Sequence, residues 1–330
     1  MHSQLLSRPG LITSDPLAAV DGPDPAPGPG EVQIEEAACA VFRTDLKMVE
    51  GDLEAHLLPV VPGHQSVGRV AGSGEGVNDS RPGDSAGDGR FGGSCWRCAL
   101  CRSGRENLCR DAVFSGWDRD GGFATILTAR ADAAVPLPDR FADLEAAPLL
   151  CGGVIGYRSL RVSGIRPGAR LGLYGFGASA RLAIQVAERW GCEIYVATRS
   201  EPERKAALDL GAVWAGGYDE PPPVPLDAAI TFAPVGEVVI TALQAVDRGG
   251  VVAINAIHLD RIPEFDYGLL WHERQLRSVA NSTRRDAAEF LALAAEIPIE
   301  TTVVAYPLGE ANRALADLKD GRVSGAAVLT

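Results

Sequence analysis

Hydrophobic and polar positions follow two different rhythms along this 330-residue chain. Up to about residue 140 the apolar runs are short and separated by Gly-rich turns: "EVQIEEAAC", "SVGRVAGSGEGV", "RPGDSAGDGR", "GGFATILTA" and "AAVPLP". This texture predicts the strands and tight turns of an irregular β-rich domain. The Pro/Gly-rich "DGPDPAPGPG" (21–30) reads as a loop entering the sheet. Near residue 143 the rhythm changes. "DLEAAPLLCGGVIGYRSLRVSG" reads as helical after its proline. Then strand and helix alternate: "ARLGLYGFG", "ASARLAIQVAERWG", "CEIYVATRS", "EPERKAALDLGA", "LDAAITFAP", "EVVITALQAVDRGG", "VVAINAI". Alternation of this kind predicts a parallel sheet with helices on both faces, an α/β domain. "RRDAAEFLALAAEIP" and "GEANRALADLKDGRVSGAAVLT" add two helices and a last strand.

Length and composition narrow the function classes. A chain of this length favours two domains over one core. Hydrophobic residues make up 46% and charged residues 22%, with a net charge of −12. No Lys/Arg run offsets that charge, which argues against nucleic acid or an anionic membrane as partner. No stretch approaches the roughly 20 apolar residues of a membrane span. The N-terminal "MHSQLLSRPGLITSDP" lacks the apolar core of a signal peptide. A cytoplasmic protein acting on a small molecule is the expectation.

Two motifs carry chemistry. "LGLYGFGASARLAIQVA" sets Gly175-x-Gly177-x-x-Ala180 between an expected strand and an expected helix. Glycines there allow a tight turn and let a pyrophosphate approach the backbone, while the free N–H groups of the helix start face the phosphates. The end of the next strand normally holds an acid when NAD(H) is the cofactor. Here Thr198, Arg199 and Ser200 occupy it, with Arg204 and Lys205 behind, which favours NADP(H) over NAD(H) because arginine pairs well with a 2′-phosphate. The second motif, "CWRCALCRSGRENLC", places Cys95, Cys98, Cys101 and Cys109 so that four thiolates converge on one ion. Such a closed tetrahedral site holds one structural Zn²⁺. Four clustered cysteines among seven suit metal better than a disulfide framework.

Together with "PGPGEV", "RTDL", "EGDL", "PVVPGH", "GRENLC", "GGFA", "APLLCGG", "LYGFGASA" and "RSVANSTRRD", these motifs make nearly the whole chain resemble the zinc-containing alcohol dehydrogenases of the medium-chain dehydrogenase/reductase superfamily. The resemblance implies a GroES-like catalytic domain over 1–150, with its zinc lobe at about 92–112. It implies a Rossmann domain over 151–281 and a return to the catalytic domain over 282–330. It also implies a homodimer or homotetramer. Arg43 and Arg284 match positions near the pyrophosphate. The family's catalytic zinc takes a Cys before "RTD", the His of "GHE" and the Cys of "LLC". His64 and Cys151 match, but Phe42 stands at the first ligand position. Cys39 matches an earlier, non-ligand cysteine. Gln65 replaces the Glu after the histidine, Lys47 a relay histidine, and Ile155 a threonine near the nicotinamide.

These departures lead to the expectation of a structural zinc without a catalytic one. Catalytic zinc polarises a carbonyl and stabilises an alkoxide. Without it, hydride transfer suits a bond that is already activated, an iminium C=N or an enone or enal C=C. Plant alkaloid reductases that lack the same ligands are similar in this respect. Alcohol dehydrogenase or aldehyde reductase activity on a C=O/CH–OH pair is the alternative, and a redox-inactive nucleotide-binding or cyclase-like protein is the third. Thr44 and Lys47 are candidate proton donors or substrate anchors, and Lys47 reads equally well as a solvated cation. Asp45 would orient His64, which stands open between acid, base and packed remnant. Tyr157, Trp117, His258 and Trp271 are candidate lining residues, with ordinary packing the stronger reading for each.

Overall fold

The computed structural model describes residues 1–330 and resolves them into two units. The first comprises 1–151, 282–296 and 300–330; the second comprises 152–281 and 297–299.

The first unit is built on a seven-stranded sheet. Its order runs Val303–Tyr306, Ala326–Leu329, Glu31–Val41, Ser66–Ser73, Ser85–Asp88 and Val135–Pro136, with Ile126–Arg130 also pairing along Glu31–Val41. The 31–41 strand alternates at first, with Val32 and Ile34 buried and Glu35 exposed. Its register against 66–73 then slips between Glu36 and Ala38. A bulge of this kind turns the strand locally, and residues 38–41 beyond it are all buried. There Cys39 faces Ser66 across one neighbour and Ala40 faces Val328 across the other. The strand therefore delivers Phe42 from the middle of a core that includes Leu6, Val41, Met48, Val60, Phe123, Leu315 and Leu329. Burying side chains of this size contributes roughly 1.5–3 kcal/mol each.

The helix Arg43–Glu50 follows directly. Its first turn is closed by Asp45, whose Oδ2 accepts from the Phe42 N–H at 2.9 Å. Its last turn ends at Gly51, at φ 85°. The helix is only eight residues long, and it buries Thr44 and Asp45 beside Leu46, Met48 and Val49. A hairpin of His2–Leu6 with Leu17–Asp21 was absent from the sequence reading. The stretch 143–164, expected to be helical after Pro148, is helical on both sides of it with a break. Asp143–Ala146 is helical, Ala147–Leu150 tightens into a 3₁₀ turn, Cys151 sits at φ −124° and ψ −62°, and Gly152–Ser163 resumes the helix. Pro148 lacks an N–H and cannot extend a regular helix from within. The break sets Cys151 between two helices.

The second unit contains a six-stranded parallel sheet in the order Trp214–Gly216, Glu193–Ala197, Arg170–Tyr174, Leu226–Thr231, Val246–Ile254 and Gln275–Ser278. Numbered by sequence within the unit, that order is 3-2-1-4-5-6, the Rossmann arrangement. The order reverses beside Arg170–Tyr174, so the turn after that strand opens at the switch point where such sheets bind ligands. The helix Gly236–Ala245 stops sooner than its sequence suggested. Val246 already pairs with Leu226, and Gly249 at φ 75° lets the chain turn within the strand. No helix of the protein is long and apolar enough to cross a membrane.

Candidate active site, cofactor turn and metal centre

The four cysteines of the lobe converge. Sγ–Sγ separations are 3.5 Å for Cys98–Cys101 and Cys95–Cys109, 3.8 Å for Cys95–Cys101 and 3.9 Å for Cys98–Cys109. A zinc ion bound at about 2.3 Å to each of four thiolates requires tetrahedral edges of about 3.8 Å. A disulfide would require about 2.05 Å. All four ligand atoms lie within 4.8 Å of one another. N–H groups already point at the sulfurs: Cys101 N–H donates to Cys98 Sγ at 3.5 Å, and Asp111 N–H to Cys109 Sγ at 3.4 Å. The N–H groups of Arg97 and Cys98 pull the Cys95 thiol down to about 6. The residues fit a structural Zn²⁺. Arg284 braces this lobe: its guanidinium lies 4.4 Å over Trp96, its Nη1 donates to the Asp132 carbonyl at 2.7 Å, and its N–H donates to Glu106 at 2.9 Å. Those contacts engage a side chain that the resemblance had placed near a pyrophosphate.

The dinucleotide turn also fits its ligand. Gly175 has φ 90°, and a Cβ there would lie 2.9 Å from the Ala233 nitrogen. Gly177 has an ordinary φ of −82°, and a Cβ there would meet nothing within 4 Å. This glycine keeps open space in front of the helix Ala178–Arg189, where a phosphate would approach, and Ala180 is fully buried behind it. At the end of the next strand, the Thr198 hydroxyl donates to Glu203 at 2.6 Å, and the Ser200 Oγ caps the helix Glu201–Asp209 by accepting from the Glu203 N–H at 3.4 Å. These two hydroxyls therefore hold the turn together, and Arg199 projects from it exposed.

The third group surrounds His64. Its Nδ1–H donates to Asp45 Oδ1 at 2.8 Å, and both side chains are inaccessible to solvent. Gly63, at φ 100°, permits this placement, since a Cβ there would lie 2.5 Å from the Phe123 ring. Burial alone would lower the His64 pKa. The Asp45 carboxylate and then Cys151 outweigh it and raise the value to about 9. Nε2 is buried and makes no well-formed hydrogen bond, with the Cys151 thiol its neighbour. The Phe42 ring stands edge-on to the imidazole, centroids 6.0 Å apart. Gln65 is buried and donates its amide to the Ala40 carbonyl at 3.3 Å. Cys39 is enclosed elsewhere, with the Ser66 hydroxyl donating to its Sγ at 3.6 Å, and burial keeps it a thiol. His64 and Cys151 belong to no set of three or more His, Cys, Asp or Glu donors close enough to share an ion. The donor set does not fit a catalytic zinc of the Cys₂His kind.

Thr44 is buried, Lys47 half-buried and Arg43 exposed on the helix 43–50. Thr44 and Lys47, three residues apart, share one of its faces. Trp117 stacks on His56, with centroids 4.1 Å apart. In the second unit Tyr157 packs edge-on against Trp190, while His258 and Trp271 are exposed.

Arg90 was not anticipated from the sequence. It is only 7% exposed, lies 4.6 Å over the Trp117 ring, and feels the charges of Asp45 and Cys151. The available signal was an Asp/Arg pair, Asp88 and Arg90, set among glycines and Phe91 in "GDGRFGG", a run small enough to be buried. Two buried carboxyls were missed too. Burial raises Glu36 well above its usual range, and it lifts Asp88 to about 6 against the pull of Ser115, Arg119 and His64.

Comparison with known proteins agrees with this architecture. Residues 28–139 match the alcohol dehydrogenase GroES-like domain. The chain is 49% identical to the probable alcohol dehydrogenase AdhA of Mycobacterium tuberculosis, over all of this chain and 97% of that one. The protein belongs to the alcohol dehydrogenase family of medium-chain dehydrogenase/reductases. This dehydrogenase is also 37% identical to an aldehyde reductase AdhA of Synechocystis, across 56% of this chain and 55% of that one. Among solved structures, the Sorghum bicolor cinnamyl alcohol dehydrogenase superposes with a TM-score of 0.90 at 25% identity, covering 99% of the dehydrogenase and 96% of that chain. The dehydrogenase is thus an oxidoreductase with GroES-like and Rossmann folds.

Proposed function

We propose that this dehydrogenase interconverts an aldehyde or ketone and its alcohol with NADP(H), and that His64 performs the proton transfer that a metal would otherwise assist. The names of the relatives weigh toward this C=O/CH–OH reading and away from the iminium or enone reduction expected from the missing zinc ligands. The observation that carries the proton role is a buried histidine whose Nδ1 is fixed by Asp45, leaving Nε2 with the Cys151 thiol as its neighbour.

When bound, the nicotinamide supplies the hydride. Asp45 holds the imidazole in one orientation and keeps it charged at neutral pH. Nε2–H then donates to the carbonyl oxygen and gives up its proton as the carbon accepts hydride, so the product leaves as a neutral alcohol. In the reverse direction the same nitrogen accepts the alcohol proton. Phe42 walls the imidazole and excludes water. Thr44 and Lys47 are assigned to positioning the substrate oxygen. Arg43 and the Gly175–Gly177 turn are assigned to the pyrophosphate, and Arg199 to a 2′-phosphate. Cys95, Cys98, Cys101 and Cys109 hold the single structural Zn²⁺.

The test is His64→Asn in an NADPH oxidation assay with a panel of small aldehydes. Loss of a positioned acid lowers kcat by about 10²- to 10⁴-fold, with NADPH affinity retained. An unchanged kcat removes His64 from the mechanism. Turnover of enones or iminium ions without any aldehyde would restore the other bond type.

A further inference from the structure

Resting on the carbonyl-reductase reading above, we propose that Arg90 is a specificity-determining anion clamp and that the substrate is an aldehyde or ketone bearing a carboxylate. The guanidinium is buried, yet no carboxylate of the protein neutralises it directly. Its Nη1 donates to the Ser115 carbonyl at 3.3 Å, and its Nη2 is buried with no partner. The acids whose charge it feels are committed elsewhere. Asp118 accepts from His56 Nδ1 at 2.6 Å and from the Phe114 N–H at 2.8 Å. Asp45 accepts from His64 Nδ1 and the Phe42 N–H.

A buried charge without a paired counterion is costly, and this one is also held rigidly. Trp117 lies 4.6 Å from the guanidinium carbon and Phe114 5.8 Å from it. Held against two adjoining rings, the group loses little further freedom on binding a ligand, and its unpartnered Nη2 offers donors suited to a carboxylate oxygen. The backbone sets it near His64 and Cys151: a Cβ on Gly89, just before Arg90, would lie 3.0 Å from the carbonyl oxygen of Leu150, just before Cys151, and a Cβ on Gly116, just after the Ser115 that Arg90 contacts, would lie 2.5 Å from the carbonyl oxygen of Gly63, just before His64. The protein as a whole is strongly acidic, at −12, so its overall field repels anions and a local cation must supply the recognition.

The experiment compares 4-oxobutanoate with pentanal, as substrates for NADPH oxidation by the wild-type holoenzyme and by Arg90→Gln and Arg90→Lys. A charge-assisted contact predicts a kcat/KM preference of about 10- to 100-fold for 4-oxobutanoate. Arg90→Gln should raise KM for 4-oxobutanoate by a similar factor, leave kcat within about threefold, and leave pentanal nearly unaffected; Arg90→Lys should fall between. If Arg90→Gln does not fold, the wild-type preference decides. Equal use of both aldehydes by the wild type, or equal losses on both in Arg90→Gln, overturns the clamp and leaves a packing role. Calorimetric titration of the NADP⁺-loaded enzyme with succinate separates the two levels of argument. Succinate binding that weakens in Arg90→Gln, without turnover of either aldehyde, supports the anion site and overturns the reductase reading. Turnover of pentanal without succinate binding does the reverse.

Discussion

Replacing Asp45 with asparagine tests the charge state of the buried histidine. In the folded protein His64 titrates at about 9, raised by Asp45 and Cys151 against the effect of burial, compared with about 6.5 for a free imidazole. That difference corresponds to about 3 kcal/mol. Because the folded value is the higher one, this stabilisation is fully present below pH 6.5. It is lost progressively as pH rises through 9. An asparagine side chain would lack the charge and could not accept fully from both His64 and the Phe42 N–H, as the carboxylate does. Removing one partner of a buried pair costs about 3–5 kcal/mol, so the variant should be less stable by about that amount near pH 6. The assay is urea unfolding followed by tryptophan fluorescence, with zinc in the buffer, from pH 6 to pH 9.5. The gap between wild type and Asp45→Asn should be widest at the acid end and shrink by about 3 kcal/mol toward pH 9.5. A gap constant across this range would refute the reasoning, since His64 would then be neutral throughout, as it would be if it were bound to a metal.

Further outcomes follow from the same geometry. Gly177→Val should fold normally, because open space surrounds the added side chain, but should weaken NADPH binding by about tenfold or more through one or two blocked phosphate contacts, read by fluorescence titration. Arg199→Glu should weaken NADPH about 10- to 100-fold and leave NADH unaffected or improved; equal losses on both would place the 2′-phosphate elsewhere. Phe42→Cys with Gln65→Glu should raise bound zinc from one to two per chain by restoring a thiolate beside His64 and Cys151, read by metal analysis after gel filtration.

The parallel half of the fold was legible in the sequence because its central strands are buried apolar runs and the helices between them keep a regular period. The Gly175–Gly177 turn and the four cysteines were legible because their spacing itself encodes a backbone shape and a ligand geometry. The helix 43–50 was not, since it is short, with only Leu46, Met48 and Val49 as apolar positions, and its buried Thr44 and Asp45 read in sequence as polar. The break at Cys151 was signalled by Pro148 but was hidden within a run of helix-forming residues. Arg90 and the pair Glu36 and Asp88 escaped notice because their interest lies in burial, and a lone charged residue in sequence reads as exposed until the strands beside it are placed. The absent ligand at Phe42 was visible from the start. What the structure added was where the neighbouring donors are engaged: the Ser66 hydroxyl donates to the Cys39 sulfur, and the Gln65 amide N–H donates to the Ala40 carbonyl.

The most direct measurement is the zinc stoichiometry of enzyme that is actively reducing an aldehyde with NADPH. One zinc per chain, held by Cys95, Cys98, Cys101 and Cys109 and abolished by Cys95→Ser, is the predicted result. Two zinc ions per chain, with activity lost in step with the one released by His64→Asn or Cys151→Ser, would contradict it.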